Sequence, residues 1–256
     1  MSDWVQTGIG KAEADAIIIR GRDLSSDLMG KVTFTELAFL LVQGRDPSPG
    51  ETALLDAVLV SLADHGLTPT ALAARLTLTG APESLQGAVA AGLLGAGTVF
   101  LGVVEDTAAF LEPVVASAGP DADEERLAVA ARAAVEARRA EGGRIPGLGH
   151  PVHKEVDPRT PRMYEIAEEH GVLGPHLRAL RMVADVHQEL TGRALPINGA
   201  GVGGAALADL GFSSRIVRGF ALVARSAGLV AHLAEEMDRP LGMPLFLEVD
   251  ERSRGV

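Results

Sequence analysis

The chain of 256 residues has no cysteine, one tryptophan, one tyrosine and fewer basic than acidic side chains. Without cysteine there is no disulfide, no thiolate nucleophile and no cysteine-bound zinc or iron–sulfur centre. Lysine and arginine number 23 against 34 acidic residues, so the formal charge is −11. Such a chain gains nothing from counterion release, which disfavours general nucleic-acid binding. An anionic substrate must be drawn by a local group of Arg, Lys or His. Long uncharged runs are also scarce. The main one, Gly87 to Val104, is glycine-rich and ends at Glu105, without the basic flanks or aromatic belt of a membrane span. It reads as a buried helix near a tight packing or binding surface. Met1 to Gln6 lacks a basic n-region and an apolar h-region, so a cytoplasmic location and no membrane partner are expected.

What the chain has in quantity is helix punctuation. Thr33 with Glu36 forms a capping box ahead of Leu37 to Val42, which Gly44 ends. Ser48, Pro49 and Glu51 repeat that logic for a helix running towards His65-Gly66. Further helices are expected from Thr68-Pro69, within Asp121 to Gly142, from Thr160-Pro161 to Gly171, from Pro175 to Gly192 and from Ser213 to Arg239-Pro240. Each places apolar residues three and four apart. Strand-like alternation is confined to Ile17-Ile18-Ile19. The fold class is therefore all-α. At about 150 residues per domain, the length suits one large domain or one and a half.

Two Gly/Pro-rich loops between helices, Gly142 to Arg159 and Leu195 to Gly204, are the candidate ligand-binding segments. Gly199-Ala200-Gly201-Val202-Gly203-Gly204 matches GxGxxG as a string. A dinucleotide site also needs a preceding strand and an acidic residue ~20 positions on. Neither is present, so the expectation is a glycine-rich helix start whose backbone can approach a ligand closely. In the first loop, His150 suits acid–base work near neutral pH, while Lys154 and Arg159 offer positive charge to carboxylates or phosphates. An ordinary surface loop with two histidines fits the same residues. Metal ligation by His150 and His153 has no HExxH pattern or carboxylate at ligand spacing behind it, and no metal is expected.

Pro146-Gly147-Leu148-Gly149-His150, followed by Asp157-Pro158-Arg159, resembles the PGxGH…DPR signature of the citrate synthase superfamily. Arg20-Gly21-Arg22-Asp23-Leu24 and Phe34-Thr35-Glu36-Leu37-Ala38 resemble N-terminal stretches of that family. Ala63-Asp64-His65-Gly66-Leu67 with Ala73-Ala74-Arg75, and Arg225-Ser226-Ala227-Gly228-Leu229-Val230-Ala231-His232, resemble two of its helices. Within the superfamily the chain is most similar to stand-alone citryl-CoA lyase and to the C-terminal module of ATP citrate lyase. The resemblance implies a homodimer whose protomer has a large helical domain, residues 1–103 and 207–256, and a small domain, residues 104–206, closing over coenzyme A. It assigns catalysis to His150 and His65, substrate carboxylate and carbonyl binding to His65, His150, Arg159 and Arg225, and coenzyme A contacts to Pro146, Gly147, Leu148, Gly149, Lys154 and Asn198. The partners implied are an acyl-CoA and a dicarboxylate, with the thioester as substrate and no bound cofactor.

Two positions depart from the family pattern. Phe100 stands where synthases have a histidine, as in ATP citrate lyase. Ala200 stands where the family has its catalytic aspartate, and there is no Asp or Glu between Thr191 and Ala208. The expected activity is citryl-CoA cleavage to oxaloacetate and acetyl-CoA at an atypical site. The alternatives are the same fold acting on another hydroxyacyl-CoA or 2-oxo acid, and a catalytically silent acyl-CoA-binding subunit.

Overall fold

The computed structural model describes residues 7–119 and 122–255; the reading of Met1 to Gln6 and the Asp121 end of the fourth expected helix lie outside them. Eleven α-helices among those residues follow a small antiparallel meander, β1 (Gly10–Ala12), β2 (Ile17–Ile19) and β3 (Arg22–Asp23). Ile17 to Ile19 is thus a strand, as its pattern suggests. Arg20 and Gly21 turn β2 into β3 with φ of 48° and 80°, the doubly positive geometry of a tight hairpin. Arg20 Nε donates to the Leu41 carbonyl at 3.1 Å, docking this turn on α1 (Phe34–Gln43).

The capping signals act as read. Thr33 and Glu36 close a reciprocal box at α1, and Ser48 and Glu51 do so at α2 (Pro49–Ala63). Gly44 ends α1 in the left-handed conformation. The apolar run from Gly87 to Val104 is not one helix. It is the end of α4 (Leu85–Leu94), a break, and the start of α5 (Gly102–Ala118). Gly95 and Gly97 lie in the break, which leaves Leu94, Val99 and Phe100 exposed. Gly92 is needed within the chain, since a Cβ there would sit 2.8 Å from Leu229.

The remaining helices are α3 (Pro69–Gly80), α6 (Glu124–Ala140), α7 (Arg159–Glu169), α8 (Pro175–Thr191), α9 (Gly199–Asp209), α10 (Ser214–Asp238) and α11 (Gly242–Ser253). The main core draws on α2, α5, α6, α8, α9 and α10, with Phe212 edge-on to Phe39 at 5.3 Å. Its centre is α9, buried from Gly201 to Ala208. Only small side chains let five other helices approach one helix so closely. At the far end of α9, Asp209 accepts from His176 N at 2.7 Å and Leu177 N at 3.0 Å, satisfying the first amides of α8. A second core joins Ala74 and Leu78 of α3, Ala88 of α4, and Leu229 and Leu233 of α10. Among the described residues, α10 alone has the length and hydropathy to cross a membrane; here it packs against α2, α3, α4 and α5.

Helix α10 meets the end of α2 at Gly228, where an added Cβ would stand 2.1 Å from the Ala63 carbonyl oxygen. Backbone cannot rotate away as a side chain does. Gly228→Ala is therefore expected to lower stability by about 1–3 kcal/mol, as overpacking does. Urea unfolding with an unchanged midpoint would refute this contact.

Candidate active site

The loop between α6 and α7 is folded onto the segment ahead of α9. Gly149 N donates to the Pro196 carbonyl at 2.7 Å, and Asn198 N donates to the Gly147 carbonyl at 2.9 Å. Asn198 Nδ2 donates to the Gly149 carbonyl at 2.8 Å, while its Oδ1 accepts from Gly201 N as the N-cap of α9. Gly147 and Gly149 have φ of 81° and 83°, which glycine alone adopts freely. The glycine string is explained by close packing. A Cβ on Gly199 would meet Arg159 Nε at 2.1 Å, one on Gly201 would meet Gly147 Cα at 2.5 Å, and one on Gly204 would meet the Val104 carbonyl oxygen at 2.3 Å. The string is a helix start, as the sequence suggests, and its glycines are pressed against a loop rather than a ligand.

Asp157 locks the two segments together. It is fully buried. One oxygen accepts from Arg159 N and Nε at 3.1 and 3.0 Å, and the other accepts from Arg159 Nη2 and Gly199 N, both at 2.7 Å. Burial alone would raise its pKa, but the Arg159 and Gly199 donors outweigh it and hold the carboxyl at about 2. Asp157 is a residue whose role sequence reasoning missed. It was visible only as part of a motif, and its partner Gly199 lies far along the chain.

The expected histidines converge. His65 lies on the turn after α2, and its ring centroid is 5.6 Å from that of His150. His153 stacks on His150 at 4.5 Å and 28°, and stands 6.1 Å from His65. One nitrogen of each ring lies within 4.8 Å of the others. His150 Nδ1 accepts from the backbone N–H of Val152 at 3.1 Å and of His153 at 3.0 Å. A neutral ring so placed carries its proton on Nε2 and presents a donor there. Burial, with His153 and Arg159 as further causes, lowers the His150 pKa against the pull of Asp157, favouring that neutral form. Three imidazoles are a donor set of the kind transition metals take. The two backbone amides on Nδ1, however, leave no lone pair on Nε2 for a metal.

Two arginines complete the site. Arg159 is paired with Asp157, and its Nη1 reaches the Ser61 carbonyl at 3.4 Å. Arg225 on α10 is 6% exposed and forms no ion pair among the described residues; its buried Nε has no partner. Burial lowers its pKa, Asp64 opposes that, and Arg159 adds to it, so Arg159 and Asp64 are its charged neighbours. An uncompensated buried guanidinium is costly, and an anion would relieve it. Lys154 donates to the His150 carbonyl at 3.2 Å, at the rim. Leu148 packs on the main core, and Pro146 lies beside it. Behind His65, His232 Nε2 pairs with Asp64 at 2.9 Å while its Nδ1 accepts from Arg75. Arg75 in turn pairs with buried Glu236, which caps α11 through Gly242 N. That network was not read from the sequence, because its members are spread over α3, α10 and the turn after α2.

The protein family described as citrate synthase, C-terminal domain, matches residues 42–243. Citrate synthase of Acidithiobacillus ferridurans is 26% identical over an alignment of 227 residues that covers 84% of this chain and 54% of that protein. The chain therefore spans about half the length of that relative. Among solved structures, citryl-CoA lyase from Hydrogenobacter thermophilus superposes with a TM-score of 0.83 at 33% identity, covering 92% of this chain and 88% of that one. ATP citrate lyase from Methanothrix soehngenii, solved with citrate and coenzyme A, superposes at 0.75 with 21% identity, covering 93% of this chain and 39% of that one.

Because the Asp157 pKa is depressed, its contribution to stability is full above the unfolded value and is lost as pH falls from about 4 towards about 2. Asp157→Asn is expected to cost on the order of 3 kcal/mol at neutral pH, the cost of unpairing a buried ion pair, and to flatten that part of the acid dependence. Equal urea midpoints for variant and wild type at neutral pH would show that the clamp is dispensable.

Proposed function

The chain belongs to the citrate synthase family, and within it we propose that this protein cleaves citryl-CoA to oxaloacetate and acetyl-CoA. The observation that carries the proposal is Arg225, a buried guanidinium beside Arg159 that forms no ion pair among the described residues and whose Nε has no hydrogen-bond partner. A substrate carboxylate is the anion whose planar geometry such a fork accepts. The likeness to a citryl-CoA lyase along most of both chains supports the lyase direction.

In this reading Arg225, with the remaining donors of Arg159 and with His65, holds the carboxylates of the substrate. His150 Nε2–H points its donor at the oxygen that is hydroxyl in citryl-CoA and carbonyl in oxaloacetate. A donor fixed in advance by two backbone amides stabilises negative charge there without reorganising. The Pro146 to Gly149 turn, Asn198 and Lys154 take the coenzyme A arm, with the Lys154 ammonium offered to phosphate. Ala200, in the first turn of α9, presents no carboxylate to this site. Cleavage and condensation pass through the same transition state, so the missing carboxylate is expected to slow both directions alike. The homodimer and the two closing domains, 1–103 with 207–256 against 104–206, belong to the same proposal. Met243, Phe246 and Leu247, exposed on α11, support an association surface.

The test is incubation with a panel of hydroxyacyl-CoA thioesters and mass spectrometry of the products. Oxaloacetate and acetyl-CoA from citryl-CoA are expected. Products from a different thioester alone would move the activity elsewhere in the family, and coenzyme A binding without any turnover would mark a silent subunit. Arg225→Leu is expected to raise KM roughly 10- to 100-fold, the value of a charge-assisted hydrogen bond. His150→Ala is expected to lower kcat by on the order of 100-fold or more with the fold intact by circular dichroism. Activity near wild type in either variant would remove that residue from the site.

A further inference from the structure

On the proposed reading one proton must leave the tertiary hydroxyl of the substrate and one must arrive at the carbon released as acetyl-CoA. The groups around the site narrow what can carry it. His150 has its proton fixed on Nε2 by the amides of Val152 and His153, so it donates to the oxygen and has no lone pair there to take a proton. Asp157 is fully buried and occupied by Arg159 and Gly199 N. Asn198 uses its amide in both directions, towards Gly149 and Gly201. Arg159 and Arg225 are guanidinium groups, with donors only and no lone pair to accept a proton, and Lys154 is turned to the His150 carbonyl. Both Asp64 oxygens are engaged, by His232 Nε2 and by Gly66 N. The imidazoles of His65 and His153 remain.

Between them the placement decides. His65 is exposed and follows Asp64, which neighbours Arg225, at the end of the site that takes carboxylate. His153 is half-buried and stacked on His150, and no described group hydrogen-bonds its ring nitrogens. One of its ring nitrogens lies within 4.8 Å of a nitrogen of His150. The hydroxyl oxygen and the departing methylene are bonded to the same carbon, so a group beside one is beside the other.

We propose that His153 is a catalytic residue that carries a single proton from the substrate hydroxyl to the departing carbon. Neutral His153 takes the hydroxyl proton as the carbonyl forms. The carbon–carbon bond breaks, and its electron pair passes into the thioester enolate. The His153 imidazolium then returns that proton to the enolate carbon, which becomes the methyl group of acetyl-CoA. The ring ends neutral, and no co-reactant is consumed.

The test rests on citryl-CoA turnover by the full chain. His153→Leu and His153→Gln are expected to lower kcat by about 100-fold or more, the usual value of a positioned acid–base group, with KM little changed and melting temperature preserved. Free imidazole is expected to restore part of the lost rate, which it would not do for a merely structural side chain. Dialysis against EDTA is expected to leave wild-type turnover unchanged. A wild type that cleaves citryl-CoA, with both variants within about five-fold of it, too little for a lost acid–base group, overturns the shuttle alone. Loss of turnover on chelation, restored by zinc, overturns it in favour of a metal on the three imidazoles. A wild type that cleaves no thioester overturns the underlying reading, and the shuttle with it.

Discussion

The buried carboxylate of Asp157 holds the site together. It accepts from the backbone of Gly199 and from three donors of Arg159, and so joins the α6–α7 loop to the first turn of α9. Remove it, and the Arg159 cation loses its partner while the loop loses its charged tether to the central helix. The contact beside it is backbone against backbone, Gly147 on Gly201. A carboxylate with four donors and a pair of glycines thus fix the loop that presents His150. That loop brings His150 and His153, stacked on each other, up to His65 on the turn after α2.

The electrostatics of the region differ from those of the whole. A chain of net charge −11 has gathered Arg159, Arg225, Lys154 and three histidines at one place, with Asp157 and Asp64 as the acidic neighbours. Asp157 neutralises Arg159 in part. Arg225 forms no ion pair among the described residues, unlike the members of a structural ion-pair network such as Arg75–Glu236. In the latter each charge meets an opposite one, and the carboxylate also caps α11. The chain from Glu236 through Arg75 and His232 to Asp64 ends one residue before His65, so packing at α11 reaches the edge of the site.

Much of this was legible in the sequence, and the exceptions have physical causes. Capping boxes at Thr33 and Ser48 and the glycine stops at Gly44 and Gly192 are local signals, and local signals are readable. The split of Gly87 to Val104 was not read, because an uncharged glycine-rich run fits one buried helix as well as two helices and a break. Helix α5 carries Pro113 within it, a residue that argues against a helix interior by local rules alone. Its packing against α9 and α10 overrides that preference. For the site, His65, His150, Arg159 and Arg225 were nameable from motifs, whereas the Nδ1 contacts that set the His150 tautomer depend on how Val152 and His153 turn back on the ring. Asp157 and His232 act through partners 42 and 168 residues away, and no local pattern encodes such pairs.

The first turns of α9 also constrain how this protein can vary. Gly199, Gly201 and Gly204 each exclude a Cβ by contact with Arg159, Gly147 or Val104, while a Cβ on Gly203 would meet nothing closer than 3.6 Å. Ala200 is partly buried between two of the forbidden positions. A library randomised from 199 to 204 and selected for folding would keep the three glycines and admit side chains chiefly at 200 and 203. Position 200 is therefore the main place where this helix start can be given a new functional group, by mutation or by design, without moving the loop that carries the histidines.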